Sequence, residues 1–395
     1  MEDRIRVNTP KWKRDYDARQ ARLVSLRAAA AREMSIDKFL LFVVLALTLF
    51  GLVMVYSSSA MLAQKRYGGQ FHFLIRQSAW ALIGLAGMAS AIRIDYRHYK
   101  RPAVVLSLLG LSVAMLAAVL FFPAVNGAHR WFRYGAASLQ PSEIAKPALV
   151  LVLAFFLERQ AEKIKQFRLT FLPAALVAGV MMGLVALEPD LGTALSMGLI
   201  FGVVVFVAGV RLSHLGMLLL PVIPGLTYML LVPWRFQRIM DLFDPWKNQT
   251  TSSFQTAQSL ISIGSGGLTG LGFAQGKQKL FYLPSPHTDF IFAVIGEELG
   301  LIGAGLIVLA FGTVAWRGWK AARTAPDQFG QLLAMGLTVM IAAQAFFNIS
   351  VALSLLPAKG IPLPFISCGG SSLAINLAAA GVLMNISKHS SEYRI

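Results

Sequence analysis

Apolar segments long enough to cross ~30 Å of hydrocarbon recur along this chain, at about 38–56, 73–92, 103–122, 143–157, 169–187, 191–209, 213–233, 288–313, 329–353 and 364–385. Charged residues gather between the segments, and prolines such as Pro102, Pro173, Pro189, Pro221 and Pro364 fall near segment ends, where a missing donor costs least. This pattern predicts an all-α polytopic membrane protein with about ten transmembrane helices and a long extracytoplasmic loop between helices 7 and 8.

The connections orient the spans. RIDYRHYKR (93–101), ERQAEKIKQFR (158–168), VRLSH (210–214) and WRGWKAAR (316–323) are the even-numbered connections and all carry Lys or Arg, which places them in the cytoplasm by the positive-inside rule. With ten spans both termini share that side. Residues 1–35 then form a basic cytoplasmic tail, 36–386 a ten-helix membrane domain and 387–395 a short cytoplasmic C-terminal tail. The tail contains no secretory cleavage pattern; its Val24–Glu33 stretch is either a short surface helix or part of a mobile basic arm. The odd-numbered connections, 57–72, 123–142, 188–190, 234–287 and 355–363, lie outside. In the long one, FQTAQSLISIGSGG has helical spacing and predicts a re-entrant or membrane-lying helix, whereas GSGGLTGLGFAQGK (264–277) has no GK[ST] ending and reads as a flexible outer loop.

Composition sharpens the class. Hydrophobic residues make up 56% of the 395, charged residues 14%, and the mean hydropathy is +0.62, far from a soluble core of this length. A single cysteine, Cys368, excludes an internal disulfide, and six scattered histidines give no zinc spacing. The net charge of +17, which in a soluble protein would suggest nucleic acid, is here topological and faces anionic lipid.

Candidate chemistry lies on the outer set of connections. Asp289 stands where the polar cluster of PSPHTDFIFAVIGEELG (284–300) runs into a span, and an ionisable residue there is a functional-site hypothesis by default. An ordinary helix start would also account for it, with Ser285 as N-cap, Pro286 at the first helical position and Asp289 in the first turn; on this stretch alone the two readings stand level. Arg130, Trp131 and Arg133 precede Ser142, Glu143 and Lys146. These cations, off the positive-inside face, suit an anionic headgroup, or else Glu143 and Lys146 pair with each other at i, i+3. Arg76, beside Gln77, and Lys359 in LPAKGIPLP are further candidate phosphate contacts, with a snorkelling lysine the alternative for Lys359. Glu188 and Asp190 in EPD either hold a divalent cation or pair with the arginines. SCGGSS (367–372) either adds hydroxyls to the site or permits close helix packing.

Taken together, YSSSA, NGAHRWF, LQPSEIAK, EPDLGTA, PHTDFIFAVIGEELG and LPAKGIPLPFISCGGSS resemble, in order and over about residues 36–386, the SEDS family of shape, elongation, division and sporulation proteins (FtsW/RodA/SpoVE). EPD in place of QPD is closer to the division branch. The resemblance implies a peptidoglycan glycosyltransferase that polymerises lipid II into glycan strands at the outer face of the cytoplasmic membrane, at the septum, beside a class B penicillin-binding transpeptidase and other division proteins. It carries the family's essential aspartate onto Asp289; His287, Thr288 and Ser371, which lie in the matching motifs, are expected as substrate contacts beside Gln77, Ser142 and Glu143 of the outer polar clusters. Two departures stand out: Cys368 where the family has Tyr in ISYGGSS, and Phe281 where some division members are acidic.

The implied reaction needs a base for the attacking sugar hydroxyl and positive charge for a departing lipid diphosphate. Asp289 is expected as that base, with Arg76, Arg130, Lys146 and Lys359 on the diphosphate. A divalent cation, Mg or Mn, held by Asp289, Glu143 or the substrate would assist, and no organic cofactor is expected. A lipid II flippase or a non-catalytic division scaffold are the rival readings. The outward placement of the polar clusters disfavours the first; the second leaves Asp289 unexplained.

Overall fold

The computed structural model describes residues 36–124, 127–134, 137–247, 253–280 and 282–389. The Val24–Glu33 stretch, Phe281 and the end of the C-terminal tail lie outside the described residues. In order the helices are α1 (Lys38–Tyr67), α2 (His72–Arg93), α3 (Pro102–Val119), α4 (Pro141–Arg159), α5 (Leu172–Leu187), α6 (Leu191–Val207), α7 (Leu212–Leu230), α8 (Pro233–Phe243), α9 (Phe254–Ser265), α10 (Ile291–Thr324), α11 (Gln328–Ala352) and α12 (Gly370–Lys388). The sheet among the described residues is one antiparallel hairpin before α4, β1 (Phe132–Tyr134) and β2 (Ala137–Leu139), with Phe132 opposite Leu139. This is an all-α integral membrane protein. Each predicted segment contains one long helix, and among the described residues six helices are long and apolar enough by length and composition to cross a membrane. The described part of the 234–287 connection contains α8 and α9; α9 coincides with the helix expected there.

Three boundaries differ from expectation, each for a local reason. α1 continues through YSSSA to Tyr67, and the buried hydroxyls of Ser58 and Ser59 are satisfied within it by donating to Met54 O and Val55 O at 2.7 and 2.6 Å. It stops at Gly68, whose left-handed φ of 73° suits glycine. α10 continues through WRGWKAAR to Thr324, so that connection shrinks to a short turn, and Asp327 caps the next helix at Gly330 N. The last helix starts at Gly370, leaving 364–369 as irregular backbone over the site.

The two sets of connections separate to opposite ends of the bundle. At one end Lys100 pairs with Glu158 (2.7 Å), Tyr96 donates to Asp327 (2.7 Å) and Arg317 pairs with Asp37 (2.6 Å). The 130–140, 188–190, 287–289 and 358–369 segments meet at the other. Between the ends α4 and α11 are buried along most of their lengths. α2 and α12 approach closely through glycines: a Cβ on Gly84 would lie 2.6 Å from Leu377 Cδ1, and one on Gly381 2.6 Å from Met88 O. Phe42, Leu106, Leu176 and Leu309 point outward, as side chains facing hydrocarbon do.

The glycine-rich 264–277 segment is not a flexible loop, contrary to expectation. α10 breaks at Gly300 (φ 66°, ψ −165°), which frees backbone groups on both sides of the break. The carbonyls of Glu297 and Glu298 accept from Leu271 N and Gly272 N, both at 3.0 Å. Across the break, Leu301 N and Ile302 N donate to Gly267 O and Leu268 O at 2.9 and 3.1 Å. A Cβ on Gly300 would overlap Leu268 O and Gly270 N, so close backbone approach explains both glycines. Below the break, Glu297 accepts from Lys277 N (2.7 Å), Gln278 N (3.1 Å) and Ser262 Oγ (3.2 Å). Its neighbour Glu298 takes Ser57 Oγ (2.7 Å), Lys279 Nζ (2.6 Å) and Ala274 N (3.0 Å). The segment leading to Asp289 is thereby clamped to α10.

Candidate functional site

Asp289 is not a helix cap. α10 begins at Ile291 after Phe290, no side chain caps it, and Ser285 sits in a turn with φ 51°. Residues 284–290 form turns whose successive carbonyls are each held from outside. His287 O accepts from Cys368 N (2.8 Å), Thr288 O from Ser367 Oγ (2.6 Å) and Asp289 O from Asn348 Nδ2 (2.8 Å). The backbone is thus fixed while the Asp289 carboxylate accepts no hydrogen bond among the described residues.

That carboxylate lies in a recess, surrounded by protein yet partly exposed. Desolvation pushes its pKa up to about 6, the Arg130 and Arg238 guanidiniums pulling it down and Asp190 adding to the rise. The Lys359–Gly360 segment runs against it: a Cβ on Gly360 would be 3.2 Å from Asp289 Oδ2. Lys359 stretches its stem over Gly192 at the start of α6, burial lowering its pKa while Asp190 opposes that.

Arg130 closes one wall. Its Nε donates to Glu188 O (3.1 Å), its Nη2 to Pro189 O, and its Nη1 lies 3.8 Å from Asp190 Oδ2. Asp190 also caps α6 at Thr193 N (3.1 Å) and takes the Thr193 hydroxyl (2.9 Å). The EPD turn therefore pairs with an arginine. Glu188 is fully buried, and desolvation followed by repulsion from Asp190 pushes its pKa up to about 8, so it is largely neutral at pH 7.

The expected site residues divide into two groups. Asp289, Arg130 and Lys359 share the recess. Arg76, one turn into α2, holds Ser138 Oγ at 2.8 Å and so fastens the hairpin. His287 packs its ring against Phe73, burial followed by the charge of Arg66 lowering its pKa to about 4, and contributes a backbone carbonyl. Thr288 likewise contributes its carbonyl. Gln77, Ser142, Glu143, Lys146 and Ser371, expected as substrate contacts, are instead buried. Gln77 donates to Ser367 O (3.0 Å) and accepts from Gly369 N (3.3 Å), steadying the irregular 364–369 segment. The hydroxyl of Ser142 accepts from Gln140 (2.9 Å). Lys146, only 3% exposed, lies 3.0 Å from each oxygen of Glu143 and donates to Gln344 Oε1 at 2.7 Å. The i, i+3 pairing explains both, because a buried charge needs its partner.

This bears on metal binding. Glu143 is committed to Lys146, and no group of three or more His, Cys, Asp or Glu that could hold an ion is found among the described residues. Among the described residues of the site, Glu188 has unpartnered oxygens but is fully buried, whereas Asp289 presents a partly exposed carboxylate without a hydrogen-bond partner. That suits a hard cation such as Mg2+, which binds through one or two carboxylates, water and substrate phosphates rather than through an all-protein cage.

Two features escaped the sequence reading. Arg238 on α8 donates to Ala358 O (2.9 Å) and acts on Asp289; its spacing from Arg235 and Asp241 in PWRFQRIMDLF was the available signal. Gln344 and Asn348, polar residues at i, i+4 inside an apolar span, were the other.

Comparison with known proteins gives a consistent result. A family model described as "Cell cycle protein" for FtsW, RodA and SpoVE matches residues 37–392. A "Probable peptidoglycan glycosyltransferase FtsW" of Geobacter sp. (strain M18) is 42% identical over 89% of this chain and 96% of its own. "Stage V sporulation protein E" of Bacillus subtilis (strain 168) is 41% identical over 91% and 99%. Among solved structures, a chain described under structural coordination of polymerization and crosslinking by a peptidoglycan synthase complex superposes with TM-score 0.74 at 29% identity, covering 89% of this chain and 98% of its own. Rod shape determining protein RodA of Thermus thermophilus gives 0.66 at 29%, covering 92% and 99%. The ordered motifs, the helical bundle and these matches over most of its length agree that the chain belongs to the FtsW/RodA/SpoVE family.

Proposed function

We infer that Asp289 is the general base with which this chain, a peptidoglycan glycosyltransferase, extends glycan strands. The observation that carries the reading is the Asp289 carboxylate itself: without a hydrogen-bond partner among the described residues, partly exposed in a recess, under the guanidiniums of Arg130 and Arg238, on a backbone held at three consecutive carbonyls.

The substrate is lipid II. The acceptor sugar hydroxyl attacks the anomeric carbon of the donor, the bond to the lipid diphosphate breaks with inversion, and Asp289 takes the hydroxyl proton. A raised pKa makes a carboxylate a stronger base, and at about 6 it remains mostly ionised at pH 7. No general acid is needed because a diphosphate leaves as an anion. Arg130 and Lys359 supply its charge from the recess walls, acting where negative charge develops. A bound Mg2+ or Mn2+ would be held by Asp289 together with the substrate and would supply charge stabilisation.

The chain works in the cytoplasmic membrane at the division septum, with both termini cytoplasmic and 234–287 outside. Its partner is a class B penicillin-binding transpeptidase; the likeness to a chain of a synthase complex that joins polymerization to crosslinking supports this. The test is glycan-strand synthesis from purified lipid II by the reconstituted protein, alone and with that partner. Wild-type rates from a folded Asp289→Asn variant would remove the assignment.

A further inference from the structure

We propose that Asn348 is a positioning residue for glycosyl transfer, holding the catalytic turn in register with the lysine segment that faces it. The inference rests on Asp289 as base. Asn348 is 1% exposed, and its Nδ2 donates to Asp289 O and to Ile361 O, each at 2.8 Å. One amide group thus ties the segment that ends in Asp289 to the segment that begins at Lys359, and the approach of Gly360 to the Asp289 carboxylate depends on that tie.

One turn earlier on the same face of α11, Gln344 Nε2 donates to Pro362 O (3.0 Å) and to Ser372 Oγ (3.1 Å), while its Oε1 takes the Lys146 ammonium. Ser367 repeats the device from the other side, donating to Thr288 O and accepting from Leu363 N at 2.8 Å. Three consecutive carbonyl or amide groups of 361–363 are therefore gripped by side chains, and two of the grips also hold the turn of Asp289. Neither segment is a helix or strand, so neither has a ladder to set its register. Side-chain amides on the rigid α11 take that place. Lys146 and Glu143 orient Gln344 from beneath, and Lys146 acts on the reaction through Gln344.

The position of Asn348 predicts a particular kinetic pattern. Substrate binding relies on the recess cations and is retained when the tie is lost, whereas the distance and angle between base and hydroxyl are not. A misplacement of about 1 Å can cost ~10²-fold in rate.

The experiment uses the full chain reconstituted with lipid II. Asn348→Leu keeps the volume and removes the donor; Asn348→Ser keeps one donor. We expect Asn348→Leu to lower kcat by 10- to 100-fold with KM for lipid II changed less than threefold, and to leave the detergent-solubilised protein monodisperse. Asn348→Ser is expected to recover part of kcat. In an Asp289→Asn background Asn348→Leu is expected to cost little more, since the two act on one step. Wild-type kcat in folded Asn348→Leu, a rise in KM at constant kcat, or losses that simply add in the Asp289→Asn background would each overturn the proposal. Should Asp289→Asn itself polymerise normally, the base assignment falls; should Asp289→Asn be inactive and Asn348→Leu normal, only the positioning role falls.

Discussion

Asp289 and Glu298 belong to one unbroken stretch, PHTDFIFAVIGEELG, and both are carboxylates enclosed by protein, yet their surroundings differ in kind. Glu298 is fully buried and has its oxygens filled by Ser57, Lys279 and the Ala274 amide. It has no capacity left for a ligand. The carboxylate of Asp289 has no such donor among the described residues and keeps a path to solvent, while its backbone carries the constraints. Charge satisfied internally holds a fold together; charge positioned but unsatisfied is available to a substrate. The difference comes from which segments fold onto each carboxylate, not from the carboxylates.

Either carboxylate can be replaced, and the largest effect is expected at Asp289. Asp289→Asn preserves shape and removes proton acceptance, so glycan synthesis should fall ~10²-fold or more while thermal unfolding in detergent is unchanged. A variant that loses stability together with activity would place Asp289 with Glu298 as a structural group. Glu298→Ala should show the reverse. Leaving Lys279 buried without its partner costs about 3–5 kcal/mol, measured as a drop in unfolding temperature, and replacing both residues by Met should recover much of it.

A smaller effect separates the recess cations from the buried one. Arg130→Ala removes a charge-assisted contact worth ~1.5–3 kcal/mol, so efficiency at limiting lipid II should drop about tenfold or more, chiefly through KM. Lys146→Met should act on kcat instead. A shared KM defect would return Lys146 to the diphosphate. The mildest test is pH. The base must be ionised, and its pKa is raised to about 6; the rate should therefore hold near pH 7 and decline as pH falls through 6, approaching tenfold per unit well below it. A flat profile from pH 7 to 5 would put the base at an ordinary carboxylate pKa and contradict the desolvated recess.

The membrane class, the helical segments and the division of connections between two ends follow from hydropathy and charge, which act through local averages over many residues. Asp289 is legible for a related reason: a carboxylate at the mouth of an apolar span is conspicuous against its neighbours. Lys146 was equally conspicuous, and there the local signal left two readings open, because a lysine paired inside a bundle and one facing a ligand look alike until the positions of Glu143 and Gln344 are known.

Repeated membrane crossings, the sorting of connections to two ends and the place of Asp289 just before an apolar span are written in the order of residues along the chain. The clamping of 264–277, the break of α10 at Gly300, the bracing of the site by Gln77 and Lys146 and the joining of its two halves by Asn348 emerge only on packing. The first set depends on composition within a segment. The second depends on hydrogen bonds between residues far apart in the chain, whose partners are fixed only when helices pack and bring buried donors and acceptors within reach of one another.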